Sequence, residues 1–187
     1  MRAIIALTIF LASTGCILAG EPLDTPRIEM GPIIGSTAFG DKFAGDMRFS
    51  LGGRFTLNLN PRFAIEYQMA WIQSDTSYPT NSSTQGSGHL KYKVWRSNSR
   101  RFDIFAVVGP GFMHEEYQEF DQYVPSMQIK GEIGAVAFDY GGGVEVIPHR
   151  RFAVRLDITD FSTGQKLVTQ RLWNHHLDIK GAVMFRF

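Results

Sequence analysis

Cysteine is almost missing from this sequence. One residue in 187, Cys16, carries a thiol, and it lies in the first twenty. A chain cut after residue 20 has no disulfide to hold it together, even in a compartment that permits one. Past the first twenty residues there is also no apolar run of the ~20 residues that a bilayer-spanning helix needs, and no convincing 3.6-residue period. Charge of one sign is not in excess either. The 19 basic and 18 acidic side chains give a formal net charge of +1, and removing residues 1–20 takes away only Arg2, leaving 18 against 18. Such a balance argues against a nucleic-acid surface or a polybasic membrane patch. Composition excludes little else. With 44% hydrophobic and 20% charged residues, it suits a soluble domain and equally a transmembrane barrel, whose two alternating faces average to soluble-like values.

The first segment is different in kind. Arg2 gives a positive start, Ala3 to Ala12 are apolar, and small residues follow at Ala19 and Gly20. This is the three-part layout of a secretory signal peptide, so residues 1–20 are expected to be removed on export. A linker containing Pro22 and Pro26 follows over 21–26, and one domain over 27–187. Ser13-Thr14-Gly15-Cys16 loosely resembles the acylation site of lipoproteins, except that Ser13 stands where an aliphatic residue is usual.

Along the domain the dominant signal is alternation with period two, the signature of strands with one apolar and one polar face. Ile28, Met30, Pro32 and Ile34 alternate with Glu29, Gly31, Ile33 and Gly35. In 49–59, Phe49, Leu51, Gly53, Phe55, Leu57 and Leu59 oppose Ser50, Gly52, Arg54, Thr56 and Asn58. Phe63, Ile65, Tyr67, Met69 and Trp71 oppose Ala64, Glu66, Gln68 and Ala70. Leu90, Tyr92 and Val94 oppose Lys91 and Lys93, and Phe102 through Phe112 on the even positions oppose Asp103 and Phe105. Val136, Phe138, Tyr140, Val144 and Val146 oppose Asp139 and Glu145, while Phe152, Val154, Leu156 and Ile158 oppose Arg155, Asp157 and Thr159. Leu177, Ile179, Gly181, Val183, Phe185 and Phe187 oppose Asp178, Lys180, Ala182, Met184 and Arg186. Eight strands result, an even number, as an antiparallel barrel with both ends on one side requires.

Connections alternate in length. Asn60-Pro61-Arg62, Ser97 to Arg101 and Pro148-His149-Arg150 are tight, whereas Phe39 to Asp46, Gln73 to Ser87, Glu115 to Gln128 and Ser162 to Leu172 are longer and polar. That asymmetry is expected of barrels with short periplasmic turns and long extracellular loops. Each tight turn is followed by an Arg-Phe pair: Arg62-Phe63, Arg101-Phe102 and Arg151-Phe152. Such pairs put a cation at headgroup level and an aromatic just inside the interface. Phe63, Phe102, Phe152, Trp71 and Trp173 are the expected interface anchors.

If the apolar rows face lipid, the other rows face the lumen. They carry Glu29, Arg54, Glu66, Lys91, Lys93, Asp103, Asp139, Glu145, Arg155, Asp157, Asp178, Lys180 and Arg186. In an eight-stranded barrel the interior is just wide enough for side chains to fill, and an unpaired buried charge costs several kcal/mol. These charges are therefore expected to pair across the axis and plug the lumen.

Three segments carry a resemblance to a known family: Val183-Met184-Phe185-Arg186-Phe187, Phe138-Asp139-Tyr140-Gly141-Gly142-Gly143-Val144-Glu145, and Arg151-Phe152-Ala153-Val154-Arg155-Leu156-Asp157. Over residues 27–187 the chain resembles the outer-membrane β-barrel domain family, and is similar to the small OmpA-type and OmpX-type barrels. The resemblance implies an all-β, eight-stranded, antiparallel up-and-down transmembrane barrel in the cell outer membrane. It also implies that Val183, Phe185 and Phe187 form the C-terminal signal read by the barrel-assembly machinery. No peptidoglycan-binding domain is expected to follow the barrel, so the wall-tethering role of full-length OmpA-type proteins is not implied.

No enzyme site emerges. Lipid-modifying barrels use Ser, His and a carboxylate near the outer rim, but His175-His176 lacks the His-x-Ser pattern, and Asp75 with Ser77 falls in a loop. His89, His114 and His149 complete the histidines, all expected at interfaces or in loops. His114-Glu115-Glu116 has no second histidine at helical spacing and so is no zinc motif; Gly141-Gly142-Gly143 follows no strand-to-helix pattern and fits a bending, closely packed strand instead. The sequence thus implies a non-enzymatic barrel without cofactor or metal, monomeric, in contact with outer-membrane lipid and assembly machinery, with no nucleic-acid partner. It would display polar loops for envelope integrity, adhesion or a narrow porin-like conductance. Two rivals stand beside it: a lipid A or phospholipid-modifying barrel enzyme, and a secreted lipocalin-like binder with the apolar rows inside.

Overall fold

The computed structural model describes residues 26–39, 47–73, 82–120, 128–166 and 171–187, with side chains at 115–120, 128–133, 165–166 and 171–174 left out. The expected signal peptide, Cys16, Asp75 and Ser77 lie outside the described residues, as does most of the linker. Eight strands follow in chain order: β1 Ile28–Phe39, β2 Met47–Asn58, β3 Phe63–Ile72, β4 Ser82–Arg96, β5 Phe102–Phe120, β6 Gln128–His149, β7 Phe152–Lys166 and β8 Arg171–Arg186. Each pairs antiparallel with the next, and β1 pairs with β8. The sheet therefore closes in the order β1 to β8, and closure removes the two edges that an open sheet would expose to hydrocarbon.

The chemistry of the sequence is inverted relative to a soluble barrel. Ile34, Leu51, Phe55, Ile65, Tyr67, Met69, Val108, Phe138, Ile158 and Phe185 are exposed on the outside, while Glu66, Lys91, Asp139, Glu145, Arg155 and Lys180 are buried inside. The lipocalin-like arrangement is thereby overturned: the oily rows are outside and the ionised rows within. A wall of this kind is stable where acyl chains replace water.

Four readings from the sequence are corrected. The loops are shorter than expected, because β4 begins at Ser82, β5 runs to Phe120, β6 starts at Gln128 and β7 runs to Lys166. Backbone pairing continues these extensions, as in the unbroken register from Phe102↔Val146 to Phe120↔Gln128. Next, the β4–β5 register shifts between Lys93 and Trp95. This bulge puts Trp95 outside as well as Val94, and Trp95 packs edge-on against Phe102 with centroids 5.8 Å apart. Third, Val146 is buried, not exposed; it lies between Phe102 and Val154 in the register, next to the β6–β7 irregularity at its end. Last, His89 is neither a loop nor an interface residue, and His114 is no loop residue, as the next section describes.

Glycine is required where the wall makes room for its contents. A Cβ on Gly143 would collide with the Leu156 carbonyl oxygen and meet the Phe105 ring at 2.8 Å. Phe105 lies opposite Gly143 across the β5–β6 ladder, so the missing side chain leaves space for an aromatic ring in the lumen.

Candidate functional site

All thirteen charged residues assigned to the inner rows are buried: Glu29, Arg54, Glu66, Lys91, Lys93, Asp103, Asp139, Glu145, Arg155, Asp157, Asp178, Lys180 and Arg186. Strand register decides which of them meet. Thr56 faces Glu66 across β2–β3 and Arg54 faces Gln68, Glu66 faces His89 across β3–β4, and Glu145 faces Arg155 across β6–β7.

Glu66 is the hub. Arg155 reaches it from β7 across the barrel, with Nη2 donating to Oε1 at 3.1 Å and Nη1 donating to Oε2. Arg54 Nε lies 3.4 Å from Oε1, Thr56 Oγ1 donates to Oε2 at 3.1 Å, and His89 Nδ1 is 3.4 Å from Oε1. The same two arginines share Asp157, through Arg155 Nε at 2.6 Å and Arg54 Nη2. A second carboxylate, Asp139, gathers His89 Nε2 at 2.8 Å, Ser87 Oγ at 3.0 Å and Gln68 Nε2 at 3.2 Å. Gln68 joins the two halves, because its Oε1 accepts from Arg54 Nη2 at 2.7 Å.

Around this centre the remaining charges pair locally. Lys91 Nζ meets Glu145 Oε2 at 2.5 Å. Asp103 faces Glu145 across β5–β6, a like-charge opposition that is costly by itself; it is offset by Arg96, which binds Asp103 through Nε at 2.8 Å and Nη2 at 2.9 Å, and by Lys93 at 3.3 Å. Asp178 takes Lys180 Nζ and Gln85 Nε2, both at 2.6 Å. Glu29 and Arg186, partners across the β1–β8 closure, meet at 3.3 Å. The Phe105 ring lies between Lys91 Nζ, 4.5 Å from its centroid, and the Arg155 guanidinium at 4.0 Å. Toward the loop end Ile72, Met113, Ala137 and Phe161 form an apolar cluster.

His89, Ser87, Gln85 and Arg96 join the network although the alternation does not assign them to it, and Thr56 and Gln68 join it from the inner rows. His89 had a legible signal, two positions before Lys91 on the same row. It was misplaced because a histidine is compatible with either face. The neutral residues fall on the inner parity too, but only the register shows that they join the carboxylates. His114 lies half-buried in β5, paired to Thr84 and Gly134, and His149 stacks on Phe152 with centroids 5.5 Å apart.

The outer wall holds one small polar cluster near its loop end. Asp160 Oδ2 accepts from Tyr140 Oη at 2.8 Å and lies 3.0 Å from His175 Nδ1. Ser162 faces His175 across β7–β8, yet no hydrogen bond joins their side chains among the described residues. His176 turns the other way and lies buried 3.1 Å from Thr163 Oγ1. No group of three potential metal ligands occurs among the described residues. Of the expected anchors, Phe63, Trp71 and Phe152 are exposed on the outer wall and Phe102 is half-exposed there; the Trp173 side chain lies outside the described residues. Val183, Phe185 and Phe187 are all exposed on the outer row of the last strand.

Known structures share this architecture at low sequence identity. The N-terminal β-barrel domain of Pseudomonas aeruginosa OprF superposes with a TM-score of 0.55 at 10% identity, over 88% of this chain and 100% of that one. Neisserial surface protein A (NspA) gives 0.60 at 10% identity, over 86% and 96% respectively. Ail, the attachment invasion locus protein of Yersinia pestis, gives 0.49 at 12% identity, over 86% of this chain and 96% of that one. Among curated protein sequences nothing matches. The family described as "Outer membrane protein beta-barrel domain" matches residues 5–185. With its inverted faces and closed eight-stranded sheet, the protein is an outer-membrane β-barrel, and the chain belongs to the outer membrane protein β-barrel domain family.

Proposed function

We propose that the protein is a non-enzymatic, monomeric scaffold whose lumen is closed by its own ion network and whose polar loops are held rigidly at the cell surface. The observation that carries this reading is the Arg155–Glu66–Arg54–Asp157 cluster, which ties β7 to β2 and β3 through the middle of the barrel. A lumen filled in this way would oppose a continuous aqueous path, which supports at most a narrow passive conductance. The functional surface is then the loop end, where the β5–β6 ladder runs well past the apolar band, and envelope integrity or adhesion are the roles that such a display serves. Against catalysis stands the pairing of the lumen acids and bases with one another, and the absence, among the described residues, of a serine or threonine hydroxyl bonded to His175. Its assembly would use Val183, Phe185 and Phe187, which present alternate apolar side chains to the barrel-assembly machinery. In planar bilayers the folded protein, recognised by heat-modifiable gel migration, is expected to be almost silent. A steady, wide-pore conductance would overturn the closed-scaffold reading.

A further inference from the structure

At the loop end β6 outlasts one of its two neighbours. On one side it stays paired with β5 to the last pair, Phe120↔Gln128; on the other, its pairing with β7 begins only at Val136↔Gly164. Over 128–135, therefore, one edge of β6 has no partner strand among the described residues. The wall beside that edge is open as well: Val136 is 77% exposed, and a Cβ on Gly134 would meet nothing within 4 Å. Unpaired backbone polar groups are not tolerated in hydrocarbon, so this stretch stands clear of the membrane.

The ladder fixes which backbone groups are free. The Ile147 N–H donates to the Arg101 carbonyl at 2.7 Å, and these two residues stand opposite each other, one step beyond Phe102↔Val146. In an antiparallel ladder such bonded pairs recur at every second residue, and the register is unbroken from there to Gln128. The odd-numbered residues of 128–135 thus direct their N–H and C=O groups to β5, and Gln128, Lys130, Glu132 and Gly134 direct theirs to the open edge. An edge of this kind is a template for another strand. Its sequence is also complementary to itself. Turned antiparallel about Gly131, a second copy sets Lys130 opposite Glu132 and Gln128 opposite Gly134, so even residues meet even residues, as bonded pairs require, and opposite charges meet across the strands.

We propose that this edge of β6 pairs with the same edge of a second copy of the chain carried by a facing membrane. The contact is isologous, with its two-fold axis at Gly131. Copies inserted in one membrane run their β6 strands in the same sense, so the antiparallel register needs an inverted second copy, which a facing surface supplies. Within its own membrane the barrel stays a monomer. One such contact is short and weak; many copies across the gap between two surfaces add by multivalency. The inference rests on the reading of the loop end as a display at the cell surface, and deepens the adhesive role by naming the partner.

The test uses the full barrel reconstituted, loop end outward, into vesicles bearing either a donor or an acceptor lipid dye, with clustering read by energy transfer. Wild-type vesicles are expected to cluster with one another and not with protein-free vesicles. Glu132→Lys and Lys130→Glu each set like charges opposite one another and should reduce clustering about tenfold, whereas the double variant Lys130→Glu with Glu132→Lys should restore it to within about twofold of wild type. Glu132→Pro removes an N–H from the open edge and none from the β5 ladder, and should abolish clustering. Absence of wild-type clustering, equal clustering with protein-free vesicles, no recovery in the double variant, or an unaffected proline variant overturns the inference. Heat-modifiable migration confirms that each variant is folded, and if the proline variant does not fold, the charge exchange decides. Failure of the wild-type chain to form a barrel at all would instead strike the functional reading above.

Discussion

The inside and outside of this barrel obey opposite rules although their residues alternate along the same strands. Glu66 and Tyr67 are neighbours in sequence, yet one is the hub of an ion network and the other faces hydrocarbon. Inside, the cost of an isolated charge is met by partners at fixed distances; the described outer rows, where they face acyl chains, are apolar apart from the Tyr140, Asp160 and His175 cluster near the loop end. The lesson is that a charge in this protein is tolerated by position relative to other charges, whereas apolar residues stand on both sides, Phe105 and Phe161 among those within.

The comparison can be broken most severely at its hub. Glu66→Ala leaves Arg155 and Arg54 buried without their shared carboxylate, and the expected loss is about 3–5 kcal/mol, measured by urea unfolding in lipid vesicles. A loss below 1 kcal/mol would mean that water or Asp157 satisfies both arginines. One residue along, Tyr67→Arg puts a guanidinium on the lipid side near mid-membrane, for about 2–4 kcal/mol in the same assay. Near the loop end the outer wall does carry a polar contact, His175 with Asp160, and both are partly exposed. His175→Ala should therefore cost only about 0.5–1.5 kcal/mol. The sharpest contrast comes from Lys91 and Glu145. Each single change, Lys91→Met or Glu145→Leu, should cost about 3–5 kcal/mol, while the double variant should lie near wild type, within about 1 kcal/mol, because a removed pair leaves no orphaned charge. A double variant as unstable as the singles would show that the pair is wired into the rest of the network.

Much of this was legible without coordinates, and the reason is geometric. Period two assigns each residue to a face, so the apolar rows, the strand number and the inward parity of Glu66, Arg155 and Lys91 could be read directly. The partners could not. That Arg155 meets Glu66 from across the lumen depends on where β7 and β3 stand around a closed circle, and 89 residues separate them in sequence. His89 was misread for a related reason: its side chain suits an interface as well as a lumen, and only the pairing with Glu66 and Asp139 decides. The strands run further than the sequence suggests because backbone hydrogen bonding continues the ladder into segments rich in polar residues, such as Ser82 to Ser87.

By itself the sequence determined the class of the wall and which residues face each way, since alternation is a local property fixed by the pleat. Tertiary structure alone decided the register and the closure of β1 on β8. Through them it decided which buried charges touch and where a bulge brings Trp95 to the lipid side. Those outcomes are distances between strands far apart in the chain, and no local pattern encodes a distance around a ring.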